Sequence, residues 1–316
     1  MAAAAVAVVL VALVPAVTVS ASSSSTDHGG VVLWDDPAVA PIFWGNWWTT
    51  TKQGKSAASE MHRLFQGLGR ESYSSVAHDP WSSTLTQYGQ YNCPNDPNHA
   101  NYAPPGPCDL NSPAPVIHLR FDAPALTWCM GSPVYSGDCF DKTKPPANPS
   151  GAQIGAEIEK WDGFRTYEGQ AGAIYALFLP PKVVPAQDTT DCAYHTYHKD
   201  LTQFSSGIVY YLPVMVIPYE LATKKCSFGL GAAAGLSIAA AHEFAETVTN
   251  PYGPIAGTTY AGWSTADGPP YSEIADACQN VFVFSLTLPT GTFEVPQLWD
   301  NQSDACVQGR PDLSTY

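Results

Sequence analysis

Apolar and polar positions follow two different periods along this chain, and each period predicts a type of element. Short apolar runs bounded by proline or glycine predict buried strands, whereas apolar residues three and four positions apart predict helices. The predicted strands cover residues 38–44, 171–179, 207–218, 281–286 and 293–298. The predicted helices cover residues 56–67, 81–88, 152–161 and 229–249. In the run 207–218 both alternating sets of positions are apolar, so both faces of that strand are expected to be covered.

The order of these elements predicts the fold class. Helices and strands interleave without a regular strand, helix, strand period, and we find no internal repeat in the sequence. This order favours an α+β fold: a single mixed α/β domain over residues 31–316 with one twisted sheet. The stretches 92–115 and 130–150 are rich in proline, asparagine and glycine and are predicted to be long loops at the rims of a binding cleft.

The predicted helix 229–249 carries the most informative motif of the chain, His-Glu-Phe-Ala-Glu at residues 242–246. Residues four apart lie on one face of a helix, so the His242 imidazole and the Glu246 carboxylate are expected to reach one metal ion. Glu243 lies beside them and is the candidate general base. The best-known form of this arrangement has a second histidine at the position of Glu246. A helix end rich in alanine and glutamate is also typical of a solvated face, which is the simpler interpretation.

A third ligand is expected from residues 272–278, Ser-Glu-Ile-Ala-Asp-Ala-Cys. Two carboxylates three residues apart share a face of a helical turn, so one is able to bind metal while the other orients a metal-bound histidine. We predict Glu273 as the ligand and Asp276 as the partner that orients His242, around a zincin-like metal-site helix. One imidazole and two carboxylates favour zinc, with manganese or calcium as alternatives.

A run rich in histidine and tyrosine at residues 192–198 offers the hydrogen-bond donor that a hydrolytic reaction needs for its oxyanion. The candidate donors are His195, Tyr194 and His198, and either histidine is also a candidate for a further metal ligand. We predict His195 as catalytic together with Glu243. The equally favoured alternative is a packed aromatic loop fastened by Cys192.

Composition narrows the class of protein. Only 13% of the residues are charged, and the net charge is −14 with 14 basic residues, so no basic stripe is present and nucleic acid is excluded as a partner. Residues 1–21 are apolar and end in Val-Ser-Ala, which predicts a signal peptide, followed by a Ser/Gly-rich linker at 22–30. The mature protein is therefore expected to be secreted and free of the membrane. A membrane anchor formed by the same apolar run is the lesser alternative.

Eight cysteines, an even number behind an export signal, predict four disulfides rather than thiol or zinc-finger chemistry. Their spacing favours bridges between neighbours in the sequence. The predicted pairs are Cys93 with Cys108, Cys129 with Cys139, Cys192 with Cys226, and Cys278 with Cys306. The last pair is expected to hold the segment containing Glu273 against the final strand.

Five blocks of the sequence together resemble the EXORDIUM (phosphate-induced protein) family of secreted plant proteins and its bacterial relatives. They are PIFWGNW at 41–47, CAYH at 192–195, the segment 241–251 ending in Thr-Asn-Pro, EIADAC at 273–278, and LWD at 298–300 followed by Cys306. The resemblance implies an extracellular, cell-wall-associated protein linked to growth control, without a firmly established reaction. It also implies that the fold persists without chemistry, because some plant members lack the helix residues that His242, Glu243 and Glu246 supply here.

Two functional hypotheses follow. The first is a secreted metal-dependent hydrolase, with a zinc metallopeptidase as its leading form, that uses a metal-activated water on a peptide or cell-wall substrate. The second is a non-catalytic extracellular or cell-wall-associated binding protein of the EXORDIUM type, in which the same helix is structural or merely retains a metal. Glycoside hydrolysis by Glu243 and Glu273 is a third alternative, but no residue pattern selects it.

Overall fold

The structure of this protein is a computed structural model that describes residues 25–27, 38–68, 79–88, 139–161, 173–186, 191–200, 210–251, 263–265, 273–279 and 283–310. The helices are α1 Trp47–Thr50, α2 Lys52–Gly67, α3 Pro80–Thr84, α4 Gly151–Trp161, α5 Tyr219–Lys225 and α6 Ala232–Thr249, with 3-10 turns at Leu85–Tyr88 and Asp276–Cys278. The strands are β1 Ser25–Asp27, β2 Ala38–Trp44, β3 Cys139–Asp141, β4 Ala173–Leu179, β5 Tyr194–Asp200, β6 Tyr210–Pro218, β7 Trp263–Thr265, β8 Phe284–Leu288, β9 Gly291–Val295, β10 Leu298–Asp300 and β11 Ala305–Val307.

Five of these strands form the main sheet, in the order β3-β2-β4-β6-β5. Strands β2, β3, β4 and β6 run parallel, whereas β5 lies antiparallel to β6 at one edge. The remaining described strands form three two-stranded sheets, β1 with β7, β8 with β9, and β10 with β11. The protein is therefore a mixed α/β structure with a mixed sheet.

Both faces of the main sheet are buried, as the apolar pattern of residues 207–218 predicts. Along β6, Met215 and Ile217 belong to a large core that also contains residues of α2 and α6. Val214 and Val216 point to the opposite face, where they pack in a smaller core with residues of α4. Helix α6 and strand β5 meet on the side of the large core, and the candidate site lies there.

The predicted elements are largely confirmed, with the following differences. The predicted strand at 38–44 is β2, and the described residues of the predicted strands at 171–179, 207–218 and 281–286 fall largely in β4, β6 and β8. The predicted strand at 293–298 divides into the end of β9 and the start of β10. Helix α6 begins only at Ala232, because Gly229 and Gly231 have positive φ angles of 82° and 104° and cannot start a helix. Residues 139–141, within a predicted loop, form β3, and the packed loop considered for residues 192–198 is instead mostly the edge strand β5.

Two predicted disulfides are confirmed among the described residues. Cys192 and Cys226 join the start of β5 to the end of α5, and Cys278 and Cys306 join the turn Asp276–Cys278 to β11. Cys139 is also disulfide-bonded. The other cysteines of the predicted pairs and the predicted signal peptide lie outside the described residues, while residues 25–27 of the predicted linker form β1. No described helix is both long enough and apolar enough to span a bilayer.

Helix α6 runs through the interior of the described structure. Only Ala232, Ala233 and His242 among its residues are not buried. Its two carboxylates, Glu243 and Glu246, are therefore enclosed by protein at 5% and 3% exposure. A buried carboxylate destabilises a fold unless charged or hydrogen-bonding partners compensate it. The helix thus requires polar partners from other elements, and these partners define the candidate site.

Gly235 allows α5 and α6 to approach each other closely. A Cβ atom at this position would lie 2.4 Å from the backbone carbonyl oxygen of Ala222 in α5. We expect Gly235→Ala to lower the free energy of unfolding by about 1–3 kcal/mol, because the extra atom forces the two helices apart. Urea unfolding measures this difference. Ala233→Ser, at an exposed position of the same helix, is the control and should change it by less than about 0.5 kcal/mol. A Gly235→Ala variant as stable as the control would contradict the close approach.

Candidate metal centre

One set of possible metal ligands combines two residues of α6 with one residue of the segment 273–279. His242 Nε2 lies 3.1 Å from Glu246 Oε1, as expected for residues one helical turn apart. Asp276 completes the set, since its Oδ1 lies 3.3 Å from the same His242 Nε2. The ligand atoms of these three residues all lie within 4.8 Å of one another. The backbone N–H of Asp276 also donates to Glu246 Oε1 at 3.0 Å, which holds that oxygen in place.

The position of Asp276 relative to His242 distinguishes between a metal ligand and a residue that orients His242, which is its predicted role. A residue that orients a metal-bound histidine contacts the ring nitrogen that faces away from the metal. Asp276 contacts Nε2 of His242, the nitrogen that also faces Glu246. The geometry therefore favours Asp276 as a ligand beside His242 rather than as its orienting partner.

Strands β10 and β11 hold the segment 273–279 in place. The backbone N–H of Trp299 in β10 donates to the carbonyl of Ile274 at 2.9 Å, and the disulfide of Cys278 with Cys306 ties the turn to β11. Ile274 and Cys278 are each 1% exposed. Asp276 therefore sits on a segment anchored at two points, as the predicted bridge to the final strand implies.

Strand β5 contributes a second set of possible ligands through His195. This residue pairs with Met215 of β6, which belongs to the large core, so its side chain points to the face that α6 covers. His195 Nδ1 lies 3.3 Å from Glu243 Oε2 and 3.7 Å from Glu246 Oε2. The ligand atoms of His195, Glu243 and Glu246 also lie within 4.8 Å of one another.

The two other candidate donors of this strand point away from the site. Neighbouring residues of a strand face opposite sides, so Tyr194 and His198 lie on the face opposite to His195. Tyr194 packs against the smaller core, and His198 Nε2 lies 2.9 Å from Glu159 Oε1 in α4. Among the three residues considered for this role, His195 is the one that joins the cluster of carboxylates.

Glu273 lies at the other side of His195. Its Oε1 is 3.4 Å from His195 Nε2, and it accepts a hydrogen bond from the side-chain amide of Asn250. Neither of the two ligand sets found among the described residues includes Glu273. The role of Glu273 as a ligand that shares a metal ion with His242 and Glu246 stays a prediction. Asp276, rather than Glu273, is the carboxylate that lies next to His242.

Asn250 is a residue of the site that the sequence patterns do not indicate. Its backbone carbonyl lies 3.1 Å from His195 Nε2, and its N–H donates to the carbonyl of Glu246. From the sequence, Asn250 and Pro251 are predicted only to end the helix, because proline does not continue it. The helix does end there, and its terminus also orients His195.

The electrostatics of the cluster are dominated by negative charge. Burial by itself would lower the pKa values of His195 and His242, but neighbouring carboxylates, above all Glu273 for His195 and Glu246 for His242, hold both pKa values well above the usual range. Burial raises the pKa of Glu246 to about 8, where the attraction of His242 is opposed by the repulsion of Glu273 and Asp276. The site therefore has more anionic groups than its two imidazoles balance, which favours the binding of a cation.

No protein-family model, no curated protein and no solved structure matches this chain. The resemblance to the EXORDIUM family therefore stays a prediction.

Proposed function

We propose that this protein is a secreted metal-dependent hydrolase, with a zinc metallopeptidase as the leading form. One observation carries the proposal: His242, Glu246 and Asp276 converge on one point, and Glu243 follows the first of them directly on the same helix. A ligand set beside a buried carboxylate is the arrangement that a hydrolase needs to bind a metal ion and a water next to a base. Secretion rests on the apolar residues 1–21.

The donor set fits a divalent ion. Ligand atoms 2.0–2.1 Å from a tetrahedral zinc ion lie about 3.3 Å apart. His242 Nε2 is 3.1 Å from Glu246 Oε1 and 3.3 Å from Asp276 Oδ1, close to this spacing. Two carboxylates in the set also suit manganese or calcium, which prefer oxygen ligands. We propose zinc first because the set includes an imidazole.

The chain's own residues then have separate roles in hydrolysis. When bound, the ion supplies Lewis-acid activation of a water and of the scissile carbonyl. Glu243 takes the proton from the attacking water and gives it to the leaving amine. His195, whose pKa its carboxylate neighbours raise, donates to the oxyanion that develops on the substrate. The carbonyl of Asn250 holds the imidazole of His195 from behind.

Strand β5 supports a peptide as the substrate. It is one of the two edge strands of the main sheet, and none of the other described strands pairs with its outer edge. An extended peptide binds to such an edge through main-chain hydrogen bonds, as an additional strand. Because His195 belongs to β5, a peptide on this edge would pass beside the cluster. A peptide from the cell wall satisfies both this geometry and the resemblance to wall-associated proteins.

Metal analysis combined with a hydrolysis assay tests the proposal. We expect the purified mature protein to contain or take up at least one equivalent of a divalent metal and to cleave peptides from a mixed library, with cleavage products identified by mass spectrometry. A chelator should abolish cleavage, and addition of zinc should restore it. A protein that takes up no metal and cleaves no peptide or ester would contradict the proposal and support the EXORDIUM-type binding protein.

A further inference from the structure

We propose that the cluster contains a second divalent-cation site, formed by His195, Glu243 and Glu246, whose occupation inhibits hydrolysis. The two sites share Glu246, so the complete centre holds two ions bridged by one carboxylate. The second site stands on its own geometry, whereas the inhibition rests on the proposed function, because it follows from the role of Glu243 as the base.

The two oxygens of Glu246 are divided between the two sets of ligands. Oε1 lies 3.1 Å from His242 Nε2 and accepts the backbone N–H of Asp276. Oε2 lies on the side of His195, 3.7 Å from its Nδ1. A carboxylate that offers one oxygen to each of two ligand sets has the orientation of a bridging ligand. Ions held in this way in two-metal sites lie about 3.5–4 Å apart.

His195 has the orientation of a metal ligand. A metal-bound histidine almost always donates its other ring N–H to a carbonyl or a carboxylate. Here Nε2 of His195 faces the carbonyl oxygen of Asn250 at 3.1 Å and Glu273 Oε1 at 3.4 Å. Its Nδ1 therefore faces Glu243 and Glu246. An ionised carboxylate only accepts hydrogen bonds, so in the metal-free protein Nδ1 approaches Glu243 at 3.3 Å as the donor, and a bound cation would take the place of that proton.

The charge of the cluster supports two divalent ions. Four carboxylates meet in this region, those of Glu243, Glu246, Glu273 and Asp276. One divalent ion would balance two of these negative charges and the imidazolium of His195 a third, which leaves one without compensation in a largely buried site. An uncompensated buried charge is strongly destabilising, because the protein interior solvates it poorly. A second divalent ion balances the charge completely.

Occupation of the second site has a consequence for hydrolysis. A metal ion bound to the Glu243 carboxylate would draw electron density from it and lower its affinity for a proton, so Glu243 would be a poor base while the second ion is bound. The first ion, at His242, Glu246 and Asp276, supports hydrolysis, and the second withdraws the base. The second ion binds more weakly because it meets a centre whose charge is already partly balanced. Excess metal is therefore expected to lower turnover by about 10²–10⁴-fold, the usual contribution of a general base.

Manganese is a suitable probe, since electron paramagnetic resonance distinguishes one bound ion from a bridged pair. We expect metal-free wild-type protein to bind two equivalents of Mn²⁺ and to show an exchange-coupled spectrum only at the second equivalent. His195→Gln should bind one equivalent, without the coupled spectrum. Retention of that first ion shows that the variant is folded. The matched control is His198→Gln, on the same strand but the opposite face, which should still bind two.

The outcomes separate the second site from the proposed function. A wild-type protein that binds one equivalent at saturating Mn²⁺, or a His195→Gln variant that still binds two, would overturn the second site. If one ion binds and peptides are cleaved, the proposed function stands without the second site. If two ions bind and no metal loading supports hydrolysis, the second site stands and the proposed function is overturned. Faster cleavage at two equivalents than at one would overturn the inhibitory role.

Discussion

Glu243→Gln is expected to fold and to retain its metal, yet to lose turnover by about 10²–10⁴-fold. The amide has the shape of the carboxylate but does not accept a proton at neutral pH. Glu243 is 5% exposed and lies within 3.3 Å of His195, so the neutral side chain also remains in a polar, buried setting. The measurement is kcat on the best peptide substrate, at one equivalent of metal.

A matched control separates this role from a general loss of charge. Glu60 lies on α2 and pairs with Arg63, away from the cluster, so Glu60→Gln should leave kcat unchanged. Metal content measured by mass spectrometry should be the same in both variants at one equivalent. A Glu243→Gln variant with wild-type kcat would exclude Glu243 as the base, and the hydrolase would then need another one.

His242→Ala is expected to remove the first metal ion. The substitution deletes the imidazole of the set and leaves the carboxylates of Glu246 and Asp276. The affinity should fall by more than the 10–100-fold that is typical when only an outer hydrogen-bond partner of a ligand is lost. Calorimetric titration with Zn²⁺ measures the affinity. His198→Ala is the control, and it should bind Zn²⁺ as the wild type does.

A companion variant decides the role of Asp276. If this residue orients His242, Asp276→Asn should weaken Zn²⁺ binding by about 10–100-fold. If it is a ligand, as its 3.3 Å distance to His242 Nε2 favours, the loss should approach that of His242→Ala. A His242→Ala variant with wild-type affinity would contradict the site at α6 in either case.

The sequence predicts well those structural features that depend on residues close together in the chain. The spacing of His242 and Glu246 follows from the pitch of a helix, and the apolar run of β6 indicates two covered faces wherever the strand lies. The bridge between Cys278 and Cys306 is indicated by the order of the cysteines. Each of these predictions depends on local geometry, which the backbone imposes without regard to the rest of the fold.

The site residues that the sequence did not predict, or predicted only among alternatives, are placed in the site by the pairing of strands. Strand β5 reads Tyr-His-Thr-Tyr-His-Lys-Asp, without the apolar alternation of a half-buried strand, so the pattern does not reveal it. Its register with β6 decides that His195 faces α6 and that His198 faces α4. A shift of one residue would exchange these two faces and remove His195 from the site.

By itself, the sequence determined the helix that carries His242, Glu243 and Glu246, the acidic segment that follows it, and the mixed α/β character of the chain. Periodicity and residue type determine local structure, so helices, strands and acidic segments are predictable from the sequence without knowledge of the fold. Only the tertiary structure decided which groups meet. Asp276 rather than Glu273 lies beside His242, because β10 and β11 anchor residues 273–279. Glu273 and the carbonyl of Asn250 lie beside His195, because the long-range pairing of β5 with β6 places His195 there.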